Sequence, residues 1–183
     1  MVLFAHGSGS SRLSPRNNYV AGCLRKAGFG TLLFDLLTTE EDQYFENRFD
    51  IALLKERLVG ATRWVEGLTA PPGASLGYFG ASTGAAAALW ASTECKQIRA
   101  VVSRGGRPDL AEGSLEMVTA PTLLIVGGRD EEVMRLNQDA LARMKVAEKE
   151  LFVVPGATHL FEEPGALERV ASLAVDWFGR FLK

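Results

Sequence analysis

A chain of 183 residues with 47% hydrophobic and 23% charged residues and a formal net charge of -2 is long enough to bury one sizeable core, and a single domain over residues 1–183 is expected. The near-neutral balance excludes an electrostatic drive toward nucleic acid or acidic membrane surfaces. No apolar run is long enough to span a bilayer, and the first residues lack the basic segment and apolar core of a signal peptide, so no membrane partner and a cytoplasmic location are expected.

In chain order the pattern predicts a strand at 2–6, a helix at 16–27, a strand at 31–35, a long helix at 50–68, and a strand at 75–79. A helix at 83–92, strands at 99–103 and 122–127, a helix at 132–145, a strand at 151–155 and a helix at 164–182 follow. Asp50 is placed to cap the second helix and Pro164 to occupy the first turn of the last. Residues 70–74, with Pro71-Pro72-Gly73, read as a loop. The strands are nearly continuous Val, Leu, Ile and Phe runs rather than alternating ones, which suits burial on both faces. The expected fold class is α/β, a three-layer α/β/α sandwich with a mainly parallel sheet of about six strands and right-handed crossovers.

In such sheets ligands gather beyond the carboxyl ends of the strands. One segment on that rim is Gly80-Ala81-Ser82-Thr83-Gly84, which follows an apolar strand and runs straight into an Ala-rich helix. Gly-x-Ser-x-Gly in that setting is a nucleophile elbow, where small flanking residues allow a strained turn that projects the Ser hydroxyl. The competing reading is an ordinary turn with a helix-capping Ser or Thr. A Ser hydroxyl needs an imidazole to take its proton, and the imidazole needs a carboxylate to fix its tautomer. His159 and Asp130 each fall just after a predicted strand and supply these roles. Each has a plainer alternative, Asp130 as a helix cap and His159 as an idle loop residue.

The oxyanion of acyl transfer requires preorganised N–H donors, and the backbone N–H groups of Thr83 and Ser8 are placed to provide them. His6, in His6-Gly7-Ser8-Gly9, is read as bracing its loop, and the absence of Gly-x-Gly-x-x-Gly or a Walker-type Gly-Lys-Ser/Thr argues against a phosphate loop there. With only two histidines and no metal-type spacing, no metal site or cofactor is expected, and Cys23 and Cys95 read as packed thiols. Arg12, Arg104 and Arg107 fall on rim segments, where one could bind a substrate carboxylate; the alternative is solvated loop charges or partners for Asp109 and Glu40.

Phe4-Ala5-His6-Gly7-Ser8-Gly9, the Ser82 pentapeptide, Leu124-Ile125-Val126-Gly127-Gly128-Arg129-Asp130 and Val154-Pro155-Gly156-Ala157-Thr158-His159-Leu160-Phe161 occur in the order Ser, Asp, His. In these segments the chain resembles the α/β-hydrolase superfamily, and within it the dienelactone-hydrolase-like group. The resemblance implies a minimal α/β-hydrolase fold and a cofactor-free serine hydrolase acting on a small-molecule ester through an acyl-enzyme. Thioester, lactone or amide cleavage would use the same chemistry, and a catalytically silent binding or assembly protein is the alternative.

Dienelactone hydrolase proper uses a cysteine nucleophile where this chain has Ser82. Relatives with a lid insert it after the fourth strand, where only residues 104–121 are available, so no lid domain and an open site are expected. Members usually carry two further strands before the one ending in His-Gly. Their absence would leave strand 31–35 at the sheet edge, where self-association as a homo-oligomer or cover by another segment is expected.

Overall fold

The computed structural model describes residues 1–68, 75–111 and 113–182; the loop expected at 70–74 lies outside them. Every residue of β1 (Val2–Ala5), β3 (Leu76–Ala81) and β5 (Thr122–Gly127) is buried, as continuous apolar strands require. With β2 (Thr31–Leu33), β4 (Ile98–Arg104) and β6 (Lys149–Val154) they form one six-stranded sheet in the order β2-β1-β3-β4-β5-β6. Every neighbouring pair is parallel.

The period of two along each strand sorts the core into two layers. Leu3, Tyr78 and Val101 face α2 (Ile51–Leu68), α3 (Thr83–Glu94) and α4 (Glu131–Arg143), packing with Leu54, Leu58, Leu89 and Ala140. Their sequence neighbours Phe4, Phe79 and Val102 face α1 (Pro15–Lys26) and α5 (Ala166–Phe181), packing with Val20, Leu24, Val170 and Phe178. The result is a minimal α/β-hydrolase fold. Among the described residues, only short 3-10 turns at Pro108–Ala111 and Ser114–Met117 lie between β4 and β5, and no helix is long and apolar enough to cross a membrane.

Most boundaries shift by one or two residues from expectation, and two of the shifts have identifiable reasons. β2 ends at Leu33, before the expected Asp35, because Asp35 turns to the β1–α1 loop, accepting the Arg12 N–H at 2.7 Å and pairing with the Arg12 guanidinium. The last helix begins at Ala166, and Pro164 lies outside it, because Gly165 stands at the N-cap with φ 80. Asp50 does cap α2, accepting the Leu53 N–H at 3.0 Å. β2 sits at the sheet edge, as expected.

One buried polar pair ties α2 to the sheet. Thr62 donates its hydroxyl to Leu58 O at 2.8 Å, so the fully buried Tyr78 must be the donor in its 2.6 Å contact with Thr62 Oγ1. Burial raises the Tyr78 phenol well above its ordinary range. Tyr78→Phe removes only the donor and should cost about 1 kcal/mol. Thr62→Val leaves the Tyr78 hydroxyl only the weakly bonding Cys95 thiol and should cost about 1–3 kcal/mol, a larger fall in the midpoint of thermal unfolding.

Candidate active site

Ser82 occupies the N-cap of α3 with φ 51 and ψ -121, and its side chain makes no capping hydrogen bond. A non-glycine residue in that region carries backbone strain of about 1–3 kcal/mol, so its neighbours must hold it there. The two flanking glycines permit the turn by close approach. A Cβ on Gly80 would lie 2.4 Å from Ala85 Cα, and one on Gly84 would lie 2.3 Å from Ala5 O and 2.4 Å from His6 O. The elbow is pinned to β4 as well: Ser82 N–H donates to Arg104 O at 3.2 Å, and Ser82 O accepts the Arg107 N–H at 3.2 Å.

Asp130 stands at the N-cap of α4 and likewise makes no capping bond. Its Oδ2 lies 2.6 Å from His159 Nδ1. The aspartate side chain is 15% exposed and the histidine 39%, so the carboxylate is sheltered while the imidazole opens to solvent. Nδ1–H donating to the carboxylate fixes the tautomer and leaves the Nε2 lone pair free to accept a proton.

The turn 104–107 lies between the two halves of this site. While its ends grip Ser82, its middle carries the imidazole: a Cβ built on Gly105 would lie 3.4 Å from His159 Nδ1 and Cε1. Asn137, fully buried on α4, anchors the turn by donating Nδ2–H to Gly106 O at 2.9 Å and to Val133 O at 2.7 Å. The motif pattern does not reveal Asn137. Its signal is a polar residue sharing a helix face with the buried Val133 and Ala140.

The β1–α1 loop closes the other side. His6 Nε2 accepts the Leu36 N–H at 3.1 Å, which makes Nδ1 the donor to Gly7 O at 3.0 Å; His6 braces its loop as expected. Thr83 N–H is at the first turn of α3, where a helix leaves its donors unpaired. Ser8 departs from the expectation of a free donor, because its N–H already donates to Thr83 Oγ1 at 2.9 Å. The rim arginines also separate. Arg12 pairs with Asp35 and Arg107 with Asp109, the latter at 2.7 Å, which leaves both as loop ion pairs. Arg104 is 8% exposed, and burial, with Arg16 nearby, pushes its guanidinium down to about 10. Among the described residues no group of three or more His, Cys, Asp and Glu could hold a metal ion.

No protein-family model matches the sequence. A solved structure of dienelactone hydrolase from Anabaena variabilis is 57% identical and superposes with a TM-score of 0.91 over 100% of this chain and 86% of that one. The chain belongs to the α/β-hydrolase superfamily, in its dienelactone-hydrolase-like group. An esterase from Pyrococcus furiosus, 21% identical, shares the fold with a TM-score of 0.79 over 100% of this chain and 83% of its own. Curated relatives from two strains of Mycobacterium tuberculosis, provisionally named phosphoribosyl transferases, are 63% identical over 181 residues. That match takes in 97% of this chain but spans only 40% of the relatives' length.

Within this α/β-hydrolase the elbow glycines generate a sharp contrast. Gly84→Ala drives a methyl group into the β1 carbonyls and should destabilise by about 1–3 kcal/mol or more, with the β1–α1 loop displaced. Gly60, exposed in α2 with nothing within 4 Å of its would-be Cβ, should accept Ala with a gain of about 0.5–1 kcal/mol. Thermal unfolding of the two variants checks both signs.

Proposed function

We propose that this chain is a serine hydrolase that cleaves carboxylic esters of small or exposed substrates through an acyl-enzyme. The observation that carries the reading is the Asp130 carboxylate turned from its helix to His159 Nδ1 at 2.6 Å. The strained Ser82 elbow on the same rim supports it, as do the esterases among the structural neighbours.

In this reading Asp130 accepts the His159 Nδ1–H, and Nε2 takes the Ser82 hydroxyl proton as Oγ attacks the ester carbonyl carbon. The tetrahedral oxyanion forms against the Thr83 N–H, with the Ser8 N–H joining by exchanging the Thr83 hydroxyl for the oxyanion. Collapse expels the alcohol, which leaves with the proton from Nε2. Water then attacks the acyl-enzyme and gives a proton to Nε2, and collapse of the second tetrahedral intermediate releases the acid as that proton returns to Ser82 Oγ. The open imidazole and the short β4–β5 connection favour substrates presented at the surface. Thioesters, lactones and amides are variants of the same chemistry. The phosphoribosyl transferase name belongs to chains much longer than this one, and the reading here rests on the Ser82 site.

Turnover of p-nitrophenyl acetate tests it. Ser82→Ala should abolish hydrolysis, and Asp130→Asn should lower kcat by about 10⁴-fold, as loss of the orienting carboxylate does in other serine hydrolases. Full activity in Ser82→Ala would place the nucleophile elsewhere. Folded protein inert toward esters, thioesters and lactones alike would favour a silent hydrolase-fold binding protein.

A further inference from the structure

Among the described residues only two other than glycine hold a positive φ, Ser82 at 51 and Phe161 at 57. A bulky side chain in that region is a costly outlier that persists only where its surroundings hold it. Phe161 closes the turn that carries the base. Its N–H donates to Thr158 O at 3.2 Å, which leaves His159 and Leu160 as the two central residues of that turn. The Phe161 ring is buried in the α1/α5 layer, so a core side chain anchors the backbone that presents the imidazole.

Arg104 meets that anchor from the sheet. Its side chain follows Val102 onto the same face and is almost entirely buried there. Among the described residues its guanidinium makes no hydrogen bond or ion pair, and its Nε is buried without a partner. The contact it does make is with the Phe161 ring, whose centroid lies 5.8 Å from Cζ, within reach of a cation–π attraction that desolvation strengthens. A buried charge without a counterion is disfavoured, and an apolar side chain of similar length would fill the space without that cost. What the apolar chain lacks is the attraction to the ring. The main chain of the same residue accepts the Ser82 N–H at 3.2 Å. Arg104 therefore touches the backbone of the nucleophile at one end and the anchor of the base at the other.

We infer that Arg104 and Phe161 are positioning residues: the guanidinium holds the Phe161 ring, and through it the His159 turn, in register with Ser82. This rests on the hydrolase reading above. In this role neither side chain contacts the substrate, so their loss slows the chemical step and leaves binding unchanged.

Turnover of p-nitrophenyl acetate, whose acyl group carries no charge for an arginine to bind, provides the test. Arg104→Met and Phe161→Leu should each lower kcat by about 10- to 100-fold at unchanged KM, the size that a misplacement of about 1 Å produces. The double variant should be no slower than the slower single one, because both changes break the same contact. Arg104→Lys keeps a cation on the ring and should recover part of the rate. Arg104→Met should unfold at the same temperature or higher, since it removes a buried unpaired charge. A raised KM at unchanged kcat would make Arg104 a substrate contact. Losses that multiply in the double variant, or that come with a lower unfolding temperature of Arg104→Met, would make it structural. Either result overturns the proposal, as does full activity in both single variants. Magnetic resonance of the histidine rings reads the same point without catalysis, because the chain has only two histidines and His159→Ala assigns them. In Arg104→Met and in Phe161→Leu the His159 signal should broaden by exchange while that of His6 stays narrow. That result supports the positioning role even if no ester is cleaved, whereas a His159 signal that stays narrow in both variants overturns it independently of the hydrolase reading.

Discussion

The site depends on holding Ser82 at φ 51, a conformation that an isolated chain would avoid. Strain of this kind persists only where packing over-determines it. Here three elements share the task. The first turn of α3 packs through Gly84 against the Ala5 and His6 carbonyls at the end of β1, Gly80 lets that turn fold back on β3, and the end of β4 with the turn after it clamps the serine backbone on both sides through Arg104 and Arg107. Because β1, β3 and β4 are adjacent in the buried sheet, the elbow rests on the central strands of the core.

The same clamp also supports the His159 ring. Residues 104–107 grip Ser82 at their ends and carry the His159 ring on Gly105, while Asn137 fixes Gly106 from α4. α4 in turn begins at Asp130, whose carboxylate orients the same imidazole. Ser82 and His159 therefore share one short backbone turn, and Asp130 joins it through the imidazole. Holding both residues on one turn favours a preserved geometry between them.

Much of this was legible because it lies in backbone patterning. Continuous apolar runs identify buried parallel strands, and post-strand positions put Ser82, Asp130 and His159 on one rim. Both N-cap candidates illustrate where pattern alone stops. Ser and Asp at a helix start read equally well as caps, and only the folded structure shows that neither side chain caps its helix. The engagement of Ser8 N–H by Thr83 Oγ1, the Asn137 anchor and the burial of Arg104 depend on contacts between segments distant in sequence, which periodicity does not encode. Helix α5 starts after Pro164 because the positive φ of Gly165 outweighs the usual preference for proline in a first turn.

A chain that keeps a strained serine and a helix-starting aspartate turned to a histidine retains features that stability alone does not favour. The most direct test of this account is mass mapping of a fluorophosphonate adduct on the folded protein. Modification confined to Ser82 and strongly slowed in His159→Ala is predicted. No adduct on Ser82, or labelling undiminished in His159→Ala, would contradict it.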